Sequence, residues 1–348
     1  MGKILSGIKY TLLFILIFVI VVLGTLMGTI LMIIHGPSES ARDLFVTTFL
    51  ETGQMKFVVK WFVQDNVVQE ILNKNSMEEF DIEMDDSLIT INDDKKSNEI
   101  SIETITGNTF LAKMIIVKDP SRVKIASTSK NGKWGEYGKT LETIVKDYNA
   151  FAGVNGGLYY SVGNKGGKPM GLVVENGKIT YNDPDHIKGL YIIGFNENDL
   201  LKIIDITGKS AKEVEEIVKK EKIRDAITFQ DETNGSNAHF VKLIINGETR
   251  DLKGTGSGVH PRTAIGQRED GTILILVTDG RGASGHLGAT ASDLISIMKD
   301  YGAINAANID GGSSSSMYYD GQYEMTSVTL GLRNTSWRLP TAFIVERR

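Results

Sequence analysis

Two aspartates stand where an apolar run stops at a glycine: Asp279 in ILVTDGRG and Asp310 in AANIDGGSSSS. A carboxylate at the rim of a buried strand is held rigidly, at the place where sites are commonly assembled. Two of them suggest general acid–base or glycosyl-transfer chemistry. Arg281 lies two residues beyond the first, and Arg262 follows Pro261 into the apolar run Thr263–Ile265. A planar guanidinium suits bidentate binding of phosphate. Gly311 and Gly312 let a backbone approach a ligand closely, and the amides and hydroxyls of Ser313, Ser314 and Ser315 suit phosphate or sugar oxygens. His260 and His286 titrate in the range useful to an acid or base. Asn155, in FAGVNGGLYY, offers an amide to a sugar hydroxyl. Each feature also has a plainer reading. Asp279 would serve as a turn cap, Asn155-Gly156 as a hairpin turn and GGSSSS as a flexible loop. Against the loop reading, GGSSSS has an apolar strand before it and Met317-Tyr318-Tyr319 after it.

These residues need elements to position them. Strand patterns fall at 100–105, 110–117, 123–126, 172–174, 190–195 and 243–245, with turn signals at Asn176-Gly177 and Asn246-Gly247. Two further strands flank Asp270-Gly271, and the second, 272–278, is nearly all apolar and therefore buried. Short strands also precede Asn155 and Asp310. Helical patterns cover 140–148, 210–221 and 290–301. Runs of strands broken by a few helices predict an α+β fold: one mixed, strand-rich domain with a few packing helices, over 99–348.

Ahead of that domain, residues 1–10 are a short polar start and residues 11–34 an uncharged run, TLLFILIFVIVVLGTLMGTILMII. At ~1.5 Å per residue this run crosses a ~30 Å hydrocarbon core. Lys3 and Lys9 precede it, so the positive-inside rule places residues 1–10 in the cytoplasm and the rest outside. A cleaved signal peptide is the rival, disfavoured by the length of the run and the lack of a clean cleavage site. Residues 35–74 read as a juxtamembrane amphipathic helical segment, and 75–98, NSMEEFDIEMDDSLITINDDKKSN, as an acidic linker. The chain has no cysteine, which excludes disulfides, thiolate zinc sites and cysteine nucleophiles. A net charge of -5 gives no basic field, so no nucleic-acid partner is expected.

NGG at 155–157, PRTAIG at 261–266, DGR at 279–281, GAT at 288–290, the YGA…NA…N…DGG-SS series from Tyr301 and the closing RLPTAF occur in a characteristic order. In that order and spacing they resemble the phosphodiester glycosidase family, best known from the enzyme that uncovers mannose 6-phosphate tags. The segment GPSESARDLFVTTFLETGQMKF is similar to membrane-anchored Gram-positive bacterial members. The resemblance implies hydrolysis of a sugar 1-phosphodiester, with Asp279, Asp310 and Arg262 catalytic. It also implies that Asn155 belongs to the substrate site, with Gly156, Gly311, Gly312 and Ser314 shaping it; Arg281 and His260 join them as substrate-binding candidates on their chemistry. Its implied partners are a phosphodiester-linked glycan and, through the N-terminal helix, membrane lipid. No cofactor is required by it; calcium is the cation kept open, without a ligand motif to support it. The expected setting is the cell membrane, single-pass, with a wall polymer or exopolysaccharide as substrate. The glycine-rich 251–258 stretch and the different compartment of the animal enzymes mean that reaction type carries over while the substrate need not. A non-catalytic scaffold in polymer assembly is the alternative. A serine hydrolase ranks below both, for want of a Gly-x-Ser-x-Gly elbow.

Overall fold

The computed structural model describes residues 2–52, 55–91, 97–130, 132–232, 239–282, 285–326 and 334–347, with residues 2–6 described by backbone alone. Residues 53–54 of the juxtamembrane segment and 92–96 of the segment read as a linker lie outside the described residues. The chain divides into two compact units, 1–74 and 75–348.

In the first unit, α1 (Gly2–His35) contains the uncharged run, and residues 7–35 form a helix long and apolar enough to cross a membrane. The juxtamembrane segment read as amphipathic and helical contains three helices: α2 (Glu39–Glu51), α3 (Lys56–Phe62) and α4 (Asp65–Lys74). Ser38 caps α2 by accepting from the Ala41 amide at 3.2 Å. The breaks fold the segment back on itself, so that Val46, Leu50, Val59, Val63 and Ile71 bury one another and Ile34.

In the second unit, the strands are β1 (Ile100–Thr106), β2 (Leu111–Val117), β3 (Val123–Ser127), β4 (Ala150–Asn155), β5 (Gly171–Glu175), β6 (Lys178–Asp183), β7 (Leu190–Asn196) and β8 (Leu201–Asp205). They continue as β9 (Ile223–Gln230), β10 (Lys242–Ile245), β11 (Glu248–Thr249), β12 (Thr263–Arg268), β13 (Ile273–Thr278), β14 (Ala303–Ile309), β15 (Ser316–Tyr319), β16 (Gln322–Thr326) and β17 (Thr341–Glu346). The helices are α5 (Leu141–Asp147), α6 (Ala211–Lys220) and α7 (Ala291–Asp300). Antiparallel pairing gives three sheets, ordered β1-β2-β13-β12-β14-β10-β11, β16-β15-β4-β17-β3 and β6-β5-β9-β7-β8. The unit is therefore α+β, as its sequence pattern implies.

One core is shared by all three sheets, with Ile275, Val277 and Ile309 from the first, Val154 and Phe343 from the second, and Phe195 and Ile227 from the third. Each sheet is covered on its other face by one helix. Leu294 and Met298 of α7 pack on Leu274 and Leu276, Ile144 of α5 on Ile344, and Val214 and Val218 of α6 on Leu190 and Ile192. This accounts for the uninterrupted apolar β13: its odd positions face the shared core and its even ones face α7. Capping boxes at Thr290–Asp293 and Ser210–Glu213 start α7 and α6. The Asn-Gly turns at 176–177 and 246–247 have both residues at positive φ, as two-residue hairpins demand. The acidic stretch lies along the globular unit, where Phe80, Ile82 and Met84 alternate into the shared core and Lys242 Nζ donates to the Phe80 carbonyl at 2.7 Å.

Candidate active site

Because β12 is antiparallel to both its neighbours, the exits of β13 and β14 and the start of β12 meet at one end of the first sheet. Thr263 stands opposite both Val277 and Ile309. Arg262 therefore precedes β12 exactly where Asp279 and Asp310 follow the flanking strands. The chain after Asp310 turns through Gly311–Ser315 and crosses to β15 in the second sheet. There β15 lies against β4, whose last residue is Asn155.

Asn155 joins the two sheets. It is fully buried; its Nδ2 donates to the Asp310 carbonyl at 2.6 Å, and its Oδ1 accepts from Thr263 Oγ1 at 2.8 Å and the Ser316 amide at 3.2 Å. Its amide, expected to meet a sugar hydroxyl, is thus occupied by the protein. Gly156 beside it is required by packing, since a Cβ there would lie 2.3 Å from Thr341 Oγ1.

Asp310 is half-buried and lies deep among protein atoms. Burial pushes its pKa up to about 7, against the opposing effects of hydrogen bonds from Ser314 and the Gly311 amide and then the Arg281 charge. Ser314 is buried, and its hydroxyl also meets Tyr159 Oη at 3.0 Å. Burial, followed by the Asp310 charge, raises the Tyr159 pKa, so the phenol stays neutral. Arg281 takes a left-handed φ of 54°, and its Nη1 donates to Ser313 Oγ at 2.5 Å. Gly312, at φ 61°, leaves room for that guanidinium: a Cβ would sit 2.8 Å from Arg281 Nη2. Although exposed, Arg281 has its pKa lowered by desolvation and then by Arg262, with Asp310 opposing, so the three charges lie within electrostatic reach. A cation is therefore seated over the glycine-serine turn, beside a carboxyl that titrates near neutrality.

The two aspartates share the end of the sheet but do not form a side-by-side pair. β12 separates their strands, two inter-strand spacings or ~10 Å. Asp279 turns the other way, its Oδ1 accepting from the Leu111 amide of β2 at 2.7 Å. Its Oδ2 lies 2.6 Å from Nδ1 of His286, which remains partly exposed. The buried carboxylate thus orients an imidazole. Arg262 is also spoken for: its Nη2 donates to Ser257 Oγ at 3.1 Å and the Gly258 carbonyl at 3.0 Å, and its guanidinium lies over Phe240 at 4.9 Å. His260 is buried, with its backbone paired to Ala289, so the HPR and GAT motifs hold each other. Sequence reasoning missed Tyr159, Thr263 and Ser257, whose only signal was nearness to motif residues. It named His286 on chemical grounds without its partner. Among the described residues no group of three or more His, Asp or Glu is gathered to hold a metal ion.

The family model described as "Phosphodiester glycosidase" matches residues 148–346, more than half of the chain. Among solved structures, the chain is similar to the zebrafish N-acetylglucosamine-1-phosphodiester alpha-N-acetylglucosaminidase catalytic domain auto-inhibited by pro-peptide. That likeness has a TM-score of 0.54 at 18% identity and covers 72% of this chain and 83% of that one. A hypothetical protein from Synechocystis is similar at a TM-score of 0.43 and 15% identity, over 72% of this chain and 62% of that one. Among curated proteins, the SPbeta prophage-derived uncharacterized protein YomE of Bacillus subtilis (strain 168) is 48% identical over 64 residues. That match takes in 18% of this chain and 10% of that protein's length. With a family model that runs from 148 to 346, the chain belongs to the phosphodiester glycosidase family.

Proposed function

We propose that the protein hydrolyses a sugar 1-phosphodiester in a cell-surface glycan, from the outer face of a membrane to which α1 anchors it. The observation that carries this reading is Asp310, a carboxyl titrating near 7 beside the Arg281 guanidinium on the Gly312–Ser314 turn. In the reaction, the bond between the anomeric carbon and the phosphate oxygen breaks and water adds to the anomeric carbon. The sugar is released and a phosphomonoester remains. The leaving phosphate is a weak base, so neutralising its charge matters more than protonating it. Arg281 supplies that neutralisation, with Arg262 adding charge from behind. Asp310, whose pKa is pushed up to about 7, takes the proton of the attacking water in its ionised form. His286, oriented by Asp279, hydrogen-bonds the departing oxygen. Asn155, Ser314 and Tyr159 hold the turn that carries Asp310. The outward orientation rests on Lys3 and Lys9 ahead of the apolar run, and the glycan substrate on that orientation.

The test is release of N-acetylglucosamine from a synthetic N-acetylglucosamine 1-phosphodiester by the wild type and Asp310→Asn. Release by the wild type and a loss of ~100-fold or more in the folded variant support the reading. Binding without release would favour a non-catalytic scaffold. Protease protection of the second unit in intact cells would overturn the orientation.

A further inference from the structure

A concavity of about 360 Å³ is lined by Trp134, Glu136, Tyr160, Val162, Lys165 and Lys168. Its volume lies within the range of sites for small ligands, about 300–1,000 Å³. Its lining combines aromatic faces with ammonium groups. Tyr160 is 49% exposed, and Lys168 Nζ lies 5.4 Å from its ring centroid. The Trp134 indole is fixed by donating to the Thr180 carbonyl at 2.9 Å and by an edge contact with Tyr181. Val162, 82% exposed, stands at the rim. The exposed tyrosine and valine beside a fixed indole line one concavity, a setting in which apolar surface suits a ligand. One step of the chain connects the pocket to the Asp310 turn. Tyr159 bonds Ser314 of the Asp310 turn, and the next residue, Tyr160, lines the pocket, their α-carbons ~3.8 Å apart.

We propose that this pocket is a subsite for the part of the substrate beyond the scissile bond, a further sugar–phosphate unit of an anionic glycan. The apolar face of the sugar ring stacks on Tyr160 and Trp134, and the phosphate meets Lys168. Lys165, which is held by Glu136, flanks that contact. The enzyme thereby selects polymers over single sugar phosphodiesters. This inference rests on the hydrolytic reading above, so its test includes binding as well as turnover.

The full chain in detergent micelles is given two substrates: N-acetylglucosamine 1-(methyl phosphate) and a phosphodiester-linked trimer of N-acetylglucosamine. Tyr160→Ala and Lys168→Ala are each expected to lower kcat/KM on the trimer by ~10-fold, through KM, and to leave the methyl compound within about twofold. Val162→Asp, which adds a repelling carboxylate at the exposed rim, should do the same and does not depend on removing any packing. Equal effects on both substrates, or none on either, would overturn the subsite while leaving hydrolysis intact. Calorimetry with a non-cleavable phosphonate trimer separates the two ideas if the wild type hydrolyses neither substrate. Binding weakened ~10-fold by the same substitutions then upholds the pocket and rejects the hydrolytic reading. Binding unchanged by them rejects both.

Discussion

Asp310→Asn should stabilise the protein at pH 8 while abolishing its turnover. In the unfolded chain the carboxyl titrates at its ordinary value of 3.8, and in the folded protein at about 7. Below pH 3.8 both states are protonated and folding carries no ionisation cost. Between the two values the unfolded chain releases its proton and the folded one does not, so stability falls as pH rises, and the loss is complete above 7. At 1.36 kcal/mol per pH unit the full difference amounts to ~4 kcal/mol. Because Asp310 keeps a part-exposed surface, solvent screening reduces this to ~1–2 kcal/mol. The asparagine is spared that cost, and its carbonyl oxygen still accepts from the Gly311 amide, a bond of 3.0 Å in the wild type. The melting temperature of the variant should therefore exceed that of the wild type by ~2–8 °C more at pH 8 than at pH 4. Differential scanning calorimetry of both proteins in the same detergent, stepped from pH 4 to 8, measures the gap. Other groups that titrate in this range contribute to both proteins and cancel in the difference. A gap that stays constant with pH, or a variant less stable at pH 8, would refute the inference that Asp310 is held protonated by its burial. It would also remove the reason for assigning Asp310 the water proton.

The catalytic pH profile follows from the same value: kcat/KM should rise through about pH 7 as Asp310 ionises, and a steady fall across that range would exclude it as the base. Asp279→Asn and His286→Ala should each lower kcat by a similar factor, with the double variant little worse than either, because Asp279 Oδ2 and His286 Nδ1 act as one unit; additive losses measured in the same assay would separate them. Asn155→Ala leaves three hydrogen-bonding groups of the two sheets without their partner and should cost ~2–4 kcal/mol, read as a fall in denaturation midpoint. Gly312→Ala must hold a left-handed φ and push Arg281 aside, so stability should drop by ~1–2 kcal/mol while KM for the phosphodiester rises well beyond that of a neighbouring surface variant.

Much of the architecture was legible because local chemistry and the final fold agree. Asn176-Gly177 and Asn246-Gly247 are turns by composition and by φ, Thr290 and Ser210 begin helices as caps, and the apolar run before Asp279 is a strand buried on both faces. What stayed hidden depends on separations that no local pattern carries. The Leu111 amide that turns Asp279 away from Asp310 is 168 positions earlier, and the clamp of Asn155 on Asp310 spans 155. Residues 75–91 read as a linker because their acidic positions mask the alternation of Phe80, Ile82 and Met84, which bury only once β10 and the shared core exist. The turned-up pKa of Asp310 likewise arises from tertiary burial. Composition around it, rich in glycine and serine, suggests the opposite.

The placement of β17 between β4 and β3 bears on when the domain can form at all. β3 has no neighbour in its sheet until a strand more than 200 positions further along arrives, and the Arg122 guanidinium, which donates to the Glu346 carbonyl, closes a separation of 224 residues. Pairings of such long range make for slow folding with little stable structure early in synthesis. Translation thus delivers a chain that is still loose when its first helix emerges from the ribosome. If the orientation proposed above holds and the second unit is threaded through a translocation pore, nothing rigid has to be unravelled on the way. The same timing implies that a premature stop between β4 and β17 would leave an open sheet edge at β3 and β4, a substrate for proteolysis or aggregation rather than a smaller working enzyme.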